Sequence, residues 1–184
     1  TLCNYVSYYY QQSYQDLPIR YLHRLDRDTT GLVMFCKCAL LQPYFDYMIA
    51  SKKIKKTYLA IIQGHLPKRE ITIDLPIGQD RHSKNKMRIS KTGKDALTHF
   101  KEIKTKGNYT LVKCQIETGR KHQIRVHLNH LHHPIIGDTL YGKTSSMIKR
   151  MALHAYCLEF IHPLTYQTIK IECLLPFDME KIFK

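Results

Sequence analysis

The sequence predicts one α+β domain. Three observations carry this. Strand-like segments outnumber helical ones. They do not alternate regularly with helices, which argues against a doubly wound parallel sheet. Two of the longest, Ala96–Ile103 and Tyr109–Ile116, are separated by Lys104-Thr105-Lys106-Gly107-Asn108, a hairpin signal. The chain has 184 residues, 43% of them hydrophobic, enough for one sizeable core.

In chain order, the Tyr-rich first fifteen residues predict a helix, interrupted at Pro18. Tyr21–Leu25 reads as a short extended piece, and Gly31 permits the turn out of it. Leu32–Cys36 is a continuous apolar run and predicts a buried strand. If Lys37 continues that strand, Cys36 and Cys38 face one side as small apolar packers. Ala39–Ser51 has helical apolar spacing at Leu40, Leu41, Tyr44, Phe45, Met48 and Ile49, with Pro43 in a tolerated first-turn place. Lys56–Gln63 and Glu70–Leu75 predict strands, and Asp80–Lys86 a polar, basic connector. Ile124, Leu128 and Leu131 fall at helical spacing within Lys121–Leu131. Ala152–Phe160 and Thr168–Leu174 predict two more strands before a short tail.

The 29 Lys and Arg against 15 Asp and Glu give a net charge of +14, which suits a polyanionic partner such as nucleic acid. No apolar window is long enough for a membrane helix, and the first residues lack the basic head and apolar core of a secretory signal. The six cysteines form no C-x-x-C pair, so a reducing, cytoplasmic setting is expected. His122, His127, His130, His132 and His133 have no carboxylate or thiol at zinc-ligand spacing. Neither G-x-G-x-x-G nor a Walker sequence occurs. No metal and no cofactor is therefore expected.

The chemistry-bearing stretch is Tyr21–Gly31, which places His23, Arg24, Asp26, Arg27 and Asp28 together. Asp26 and Asp28 could hold Mg²⁺ in a nuclease, or belong to a surface ion network worth little energy. A third reading is a single ionised Asp acting as nucleophile or charged stabiliser. Such a carboxylate needs a neighbouring cation, since burial alone would neutralise it, and a bidentate Arg suits best. Arg24 and Arg27 flank Asp26, but in an extended segment immediate neighbours such as Arg27 point away from it, so the partner is expected from a distant element. Glu117–His127 offers Arg120, Lys121, His122, Gln123, Arg125 and His127, a set that composition alone reads equally well as a basic solvated helix face. Tyr58, one of 13 tyrosines, could stack on a base or handle a proton.

In order, these segments resemble the pseudouridine synthases of the RluA type. His23-Arg24-Leu25-Asp26-Arg27-Asp28-Thr29-Thr30-Gly31 is similar to the family's H-R-L-D-x-x-T-S/T-G segment. Lys56-Thr57-Tyr58-Leu59-Ala60 with Gly64 resembles its second motif. Gly119-Arg120-Lys121-His122-Gln123-Ile124-Arg125-Val126-His127-Leu128 resembles the third, extended by His133-Pro134-Ile135-Ile136-Gly137-Asp138 and Tyr141-Gly142. Leu153-His154-Ala155 and Phe160-Ile161-His162-Pro163 resemble the closing motif.

The resemblance implies a single, largely antiparallel mixed sheet with flanking helices over residues 1–184. It also implies isomerisation of uridine in structured rRNA or tRNA, without a cofactor, by a monomer. Asp26 matches the essential aspartate, Arg24 the arginine that intrudes into RNA, and Tyr58 the tyrosine packed on the base. Arg125 best matches the arginine paired with the carboxylate, and Arg120 is the alternative. His23, Arg120, His122 and Gln123 fall with Arg24 on the expected RNA and base-flipping side. Asp28 is then a cap or brace for the loop. Lys121 stands where the family usually has Thr. The family's domain also has a further first strand, and many members an N-terminal RNA-binding domain; neither is expected within this sequence. The reading from another class is a noncatalytic RNA-binding or ribosome-assembly module.

Overall fold

The computed structural model describes residues 1–184. A tyrosine-rich helix, α1 (Leu2–Gln12), precedes the two-residue strand β1 (Thr30–Gly31). Then come α2 (Gln42–Ala50), with Pro43 in its first turn, and the long strand β2 (Lys55–Gln63). β3 (Glu70–Asp74) is followed by a small hairpin of β4 (Ile77–Gln79) and β5 (Met87–Ile89). β6 (Leu97–Lys106) and β7 (Tyr109–Ile116) form the expected hairpin, and α3 (Gln123–His130) follows. β8 (Leu153–Ile161), β9 (Thr168–Glu172) and the one-turn α4 (Phe177–Glu180) complete the chain.

Seven strands make one sheet in the order β1-β8-β2-β7-β6-β3, with β9 also on β8. Every pairing is antiparallel except β1 with β8. The main core lies over the central strands, where Ala60, Ile61, Ile62, Phe100, Val112 and Cys114 pack with Leu128 of α3. A second cluster joins Phe45 and Met48 of α2 to Leu22, Cys36, Leu158 and Phe160. Burial of these side chains is the main favourable term holding both layers.

α3 is fastened to the sheet by polar groups as well. Gln123 and His127 both bond the fully buried Thr98 hydroxyl, at 2.9 Å each. His127 Nε2 donates to the Leu75 carbonyl, at 3.1 Å, so its Nδ1 accepts from Thr98. Burying these groups is tolerable because each finds a partner.

Two expectations are corrected. Leu32–Cys36 is not a strand. Its backbone N–H groups go to separate partners: Leu32 to Ala155, Met34 to the His23 ring and Cys36 to Arg20. Divided in this way they form no ladder, and only an isolated bridge, Tyr21 with Phe35, remains. Cys36 is buried whereas Cys38 is exposed, so the pair does not pack on one side. Asp80–Lys86 is a connector as expected, and it joins β4 to β5, whose three-residue strands are too short to show an alternating pattern.

Candidate active site

The segment bearing Asp26 is held against β8 by β1. Thr30 pairs with His154 and Gly31 with Ala155. His154 Nε2 donates to the Cys173 carbonyl at 3.0 Å, so Nδ1 accepts the Thr30 hydroxyl at 2.9 Å. Gly31 has φ +106°, and a Cβ there would lie 2.2 Å from the Ala155 oxygen. Only glycine permits that approach. On its other side Ala155 pairs with Tyr58 of β2, across a bulge that makes Tyr156 the extra residue. β8 thus carries the Asp26 loop on one edge and Tyr58 on the other.

Asp26 meets Arg125, 99 residues away, at 3.0 Å between Oδ2 and Nη1. The arginine arrives already oriented. Its Nε and Nη2 donate to the two oxygens of Asp138 at 2.7 and 2.9 Å, in a fork-to-fork pair. Asp138 is buried, and its Oδ1 also accepts the N–H groups of Leu140 and Tyr141. Burial pulls the Arg125 pKa down, but its two carboxylates outweigh this and hold it above the ordinary value. The contacts of the Asp26 carboxylate are all made by Oδ2, and the residue lines a cleft.

That cleft has a volume of about 410 Å³ and is lined by Asp26, Tyr58, Lys56, Arg120, Arg125 and the end of α2. A second hollow of about 590 Å³ shares Arg24, Asp26 and Arg125 with it and adds Arg27 and Asp28. Tyr58 is 9% exposed. Burial, reinforced by Asp26, pushes its phenol up to about 12, so it is neutral at ordinary pH. Arg24 is exposed between the two hollows with no ion-pair partner.

The remaining candidates separate. Arg120 points Nε at the Asp95 carbonyl at 2.8 Å, whereas Arg125 is the arginine that contacts Asp26. Gln123 is buried. Its amide bonds Thr118, the Arg120 backbone, Leu97 and Thr98, so it braces the cleft wall from behind and has no free group for RNA. His23 accepts the Met34 N–H at 3.2 Å and supports the loop from inside. Burial, with Lys56 beside it, lowers its pKa to about 4. His122 stands beside Asp26, with Nε2 3.8 Å from Oδ2. Asp28 is exposed and makes no side-chain hydrogen bond or ion pair, so the bracing expected of it is absent. The five histidines from 122 to 133 scatter, and no group of three or more His, Cys, Asp or Glu side chains is placed to hold a metal.

Lys56, Asp138 and Tyr141 belong to this site but were not singled out from the sequence. Lys56 and Tyr58 are two apart on one strand and so share a face, a signal that was available. Asp138 and Tyr141 lay within the quoted motif, but their inward orientation depends on a loop that spacing does not describe.

Comparison with known proteins shows the family of the chain. Residues 2–130 match the family model described as RNA pseudouridylate synthase. The chain belongs to that family, and within it to the RluA type. It is 42% identical over 184 residues to the uncharacterized RNA pseudouridine synthase YhcT of Bacillus subtilis, covering 99% of this chain and 61% of that protein. It is 38% identical over 172 residues to ribosomal large subunit pseudouridine synthase D of Nitrosomonas europaea, covering 89% and 50%. The chain thus spans between half and two thirds of the length of these relatives. Among solved structures, human RNA pseudouridylate synthase domain containing 1 superposes with a TM-score of 0.77 at 27% identity, over 87% of this chain and 70% of that one.

Proposed function

We propose that this chain isomerises uridine to pseudouridine in structured RNA, with Asp26 as the reacting group. The observation that supports this most is the asymmetric Asp26 carboxylate. One oxygen is fixed by Arg125, the other has no hydrogen bond or ion pair to the protein, and the residue lines a cleft together with Tyr58. The guanidinium holds the carboxylate in place from one side, and the other oxygen is left available to a ribose.

The reaction breaks the C1′–N1 bond and forms a bond from C1′ to C5. The C5 proton is lost and N1 gains one, so atoms balance without an oxidant or a cofactor. The base must leave its stack to reach the cleft, at a cost of a few kcal/mol that is smallest in loops and bulges. Arg24, exposed and unpaired, fills the gap left in the stack. Asp26 attacks C1′ or removes the 2′ proton as the base detaches. Tyr58 confines the freed uracil while it turns; its neutral phenol is suited to relaying a proton. The excess of basic side chains, with Lys52 and Lys56 in the cleft itself, holds phosphates. Lys55 and Lys101 are engaged with Glu159 and Glu70 and contribute less. The substrate is rRNA or tRNA, the enzyme acts as a monomer, and the setting is cytoplasmic. No helix of the chain is long and apolar enough to cross a membrane.

The test is incubation with uridine-containing ribosomal and transfer RNA in the presence of a chelator, followed by chemical mapping of pseudouridine. New pseudouridine at a defined position is expected. RNA binding without modification would favour the noncatalytic module, and metal-dependent strand scission a nuclease.

A further inference from the structure

One half-buried polar chain at this site has no part in the proposed reaction. It begins on β5, where the Met87 N–H donates to the Tyr141 hydroxyl at 2.8 Å. That hydroxyl lies 2.9 Å from His122 Nδ1, and His122 Nε2 lies 3.8 Å from Asp26 Oδ2. The two rings meet edge to face, with centroids 5.6 Å apart, and the Arg125 guanidinium lies over the Tyr141 ring at 5.0 Å. His122 itself is in the left-handed region, φ 57°, immediately before α3. That strained placement turns the ring toward Asp26 rather than along the helix.

The direction of each proton follows from the partners. Met87 uses an acceptor site of the Tyr141 oxygen, so the phenolic proton is left to donate, and His122 Nδ1 is the acceptor within reach. A neutral imidazole that accepts at Nδ1 carries its hydrogen on Nε2. The opposite tautomer would strand the Tyr141 proton and aim a lone pair at the Asp26 carboxylate. Doubly protonated imidazole is disfavoured by burial and by Arg125 and Lys121; Asp26 and Asp138 oppose this only in part, and the net shift is downward.

We infer that Tyr141 locks His122 in the Nε2–H tautomer, making His122 a positioning residue that joins Arg125 on Asp26 Oδ2 and reserves Oδ1 for the substrate. The assignment of Asp26 as the reacting group rests on the proposed function; the tautomer does not. At 3.8 Å the His122–Asp26 contact is longer than a hydrogen bond, and contacts of this kind shorten when a site closes on its substrate. The same chain ties the seat of the β4–β5 hairpin, which carries Arg81, Lys84, Lys86 and Arg88, to the reacting carboxylate.

The experiment has one arm without substrate and one with it. In ¹⁵N-histidine-labelled protein, the two-bond ¹H–¹⁵N spectrum should give His122 a pyridine-like Nδ1 and a pyrrole-like Nε2 at neutral pH. Tyr141→Phe should convert this to a tautomer mixture, and His122→Asn should shift the Asp26 ¹³Cγ resonance. An Nδ1–H ring or an imidazolium in the parent protein, an unchanged tautomer in Tyr141→Phe, or an unmoved Asp26 resonance would overturn the inference. On RNA, Tyr141→Phe and His122→Asn should each lower kcat about tenfold, the worth of one hydrogen bond to a charged group, with little change in KM. His122→Gln, whose longer side chain can carry its amide donor toward the place of Nε2, should recover part of the loss. A full kcat in folded Tyr141→Phe, or a loss confined to KM, would count against it. If the parent protein makes no pseudouridine, the proposed function fails, while the spectra still decide the tautomer and its contact with Asp26.

Discussion

Arg125 has five N–H donors, and three of them are engaged by two carboxylates. Asp138 fixes the guanidinium plane before Asp26 meets it, so Asp26 docks on a cation that is already placed. Removing the arginine does two things at once. It strips Asp26 of its countercharge and leaves Asp138 buried and unpaired, a loss of about 3–5 kcal/mol for such a group. Arg125→Met should therefore lose both pseudouridine formation and thermal stability. Arg120→Met, which gives up only a bond to the Asp95 carbonyl, should keep the fold and most of the activity. Melting curves and modification assays on the two variants check this. Sequence narrowed the partner to these two residues and went no further, because the choice depends on which way α3 is rolled against Thr98. Gln123 shows the same limit. Its place in the motif suggested an RNA contact, and only the fold shows its amide turned inward.

His23 gives a pH prediction at this scale. Its pKa falls from 6.5 to about 4 on folding. Between those values the unfolded chain binds the extra proton and the folded chain does not, so stability rises with pH through the window. Stability should therefore be lost as pH falls from 6.5 toward 4. His122, His127 and His154 are shifted in the same direction and add to the slope. His23→Gln should flatten part of it, measured by denaturant midpoints across that range. A slope unchanged in the variant would assign it to the other histidines.

Among the elements, the shortest strand matters most to the site. β1 has two residues and no recognisable pattern, yet it sets the Asp26 loop on β8. Glycine was legible at position 31, but its reason was not. Sequence suggested a turn, whereas the structure shows backbone packed on backbone at Ala155. Gly31→Ala combines a positive φ with a contact that only movement of β1 can relieve, so a loss of about 1–3 kcal/mol or more is expected. Activity should fall further than stability, because moving β1 moves Asp26. Denaturation midpoints and turnover measured on the same preparation would separate the two. The long strands β2, β7 and β8 were legible within a residue, and β6 to within three, since each carries enough pattern to read. Leu32–Cys36 misled for the converse reason. An apolar run says that side chains are buried, not that their backbone joins a ladder.

For the whole molecule, the α+β class and its antiparallel hairpin could be read from the order and composition of segments. The convergence of Asp26, Tyr58 and Arg125 could not, because they come from a loop, a strand and a helix that meet only through sheet order β1-β8-β2 and the packing of α3. The ordered motifs named the three residues by resemblance, and the fold supplies the physical cause of their meeting. Asp138, Tyr141 and Lys56 complete a charged site that sequence spacing left unassembled. The most direct test of the account is one substitution. Asp26→Asn keeps the size of the side chain and can still accept from Arg125, but it loses the negative charge. Single-turnover conversion of uridine in a bound RNA should then fall to background, while RNA affinity at fixed salt stays close to that of the parent chain. Pseudouridine formed by Asp26→Asn at a rate near the parent's would contradict the assignment of Asp26 and the reading of the site built around it.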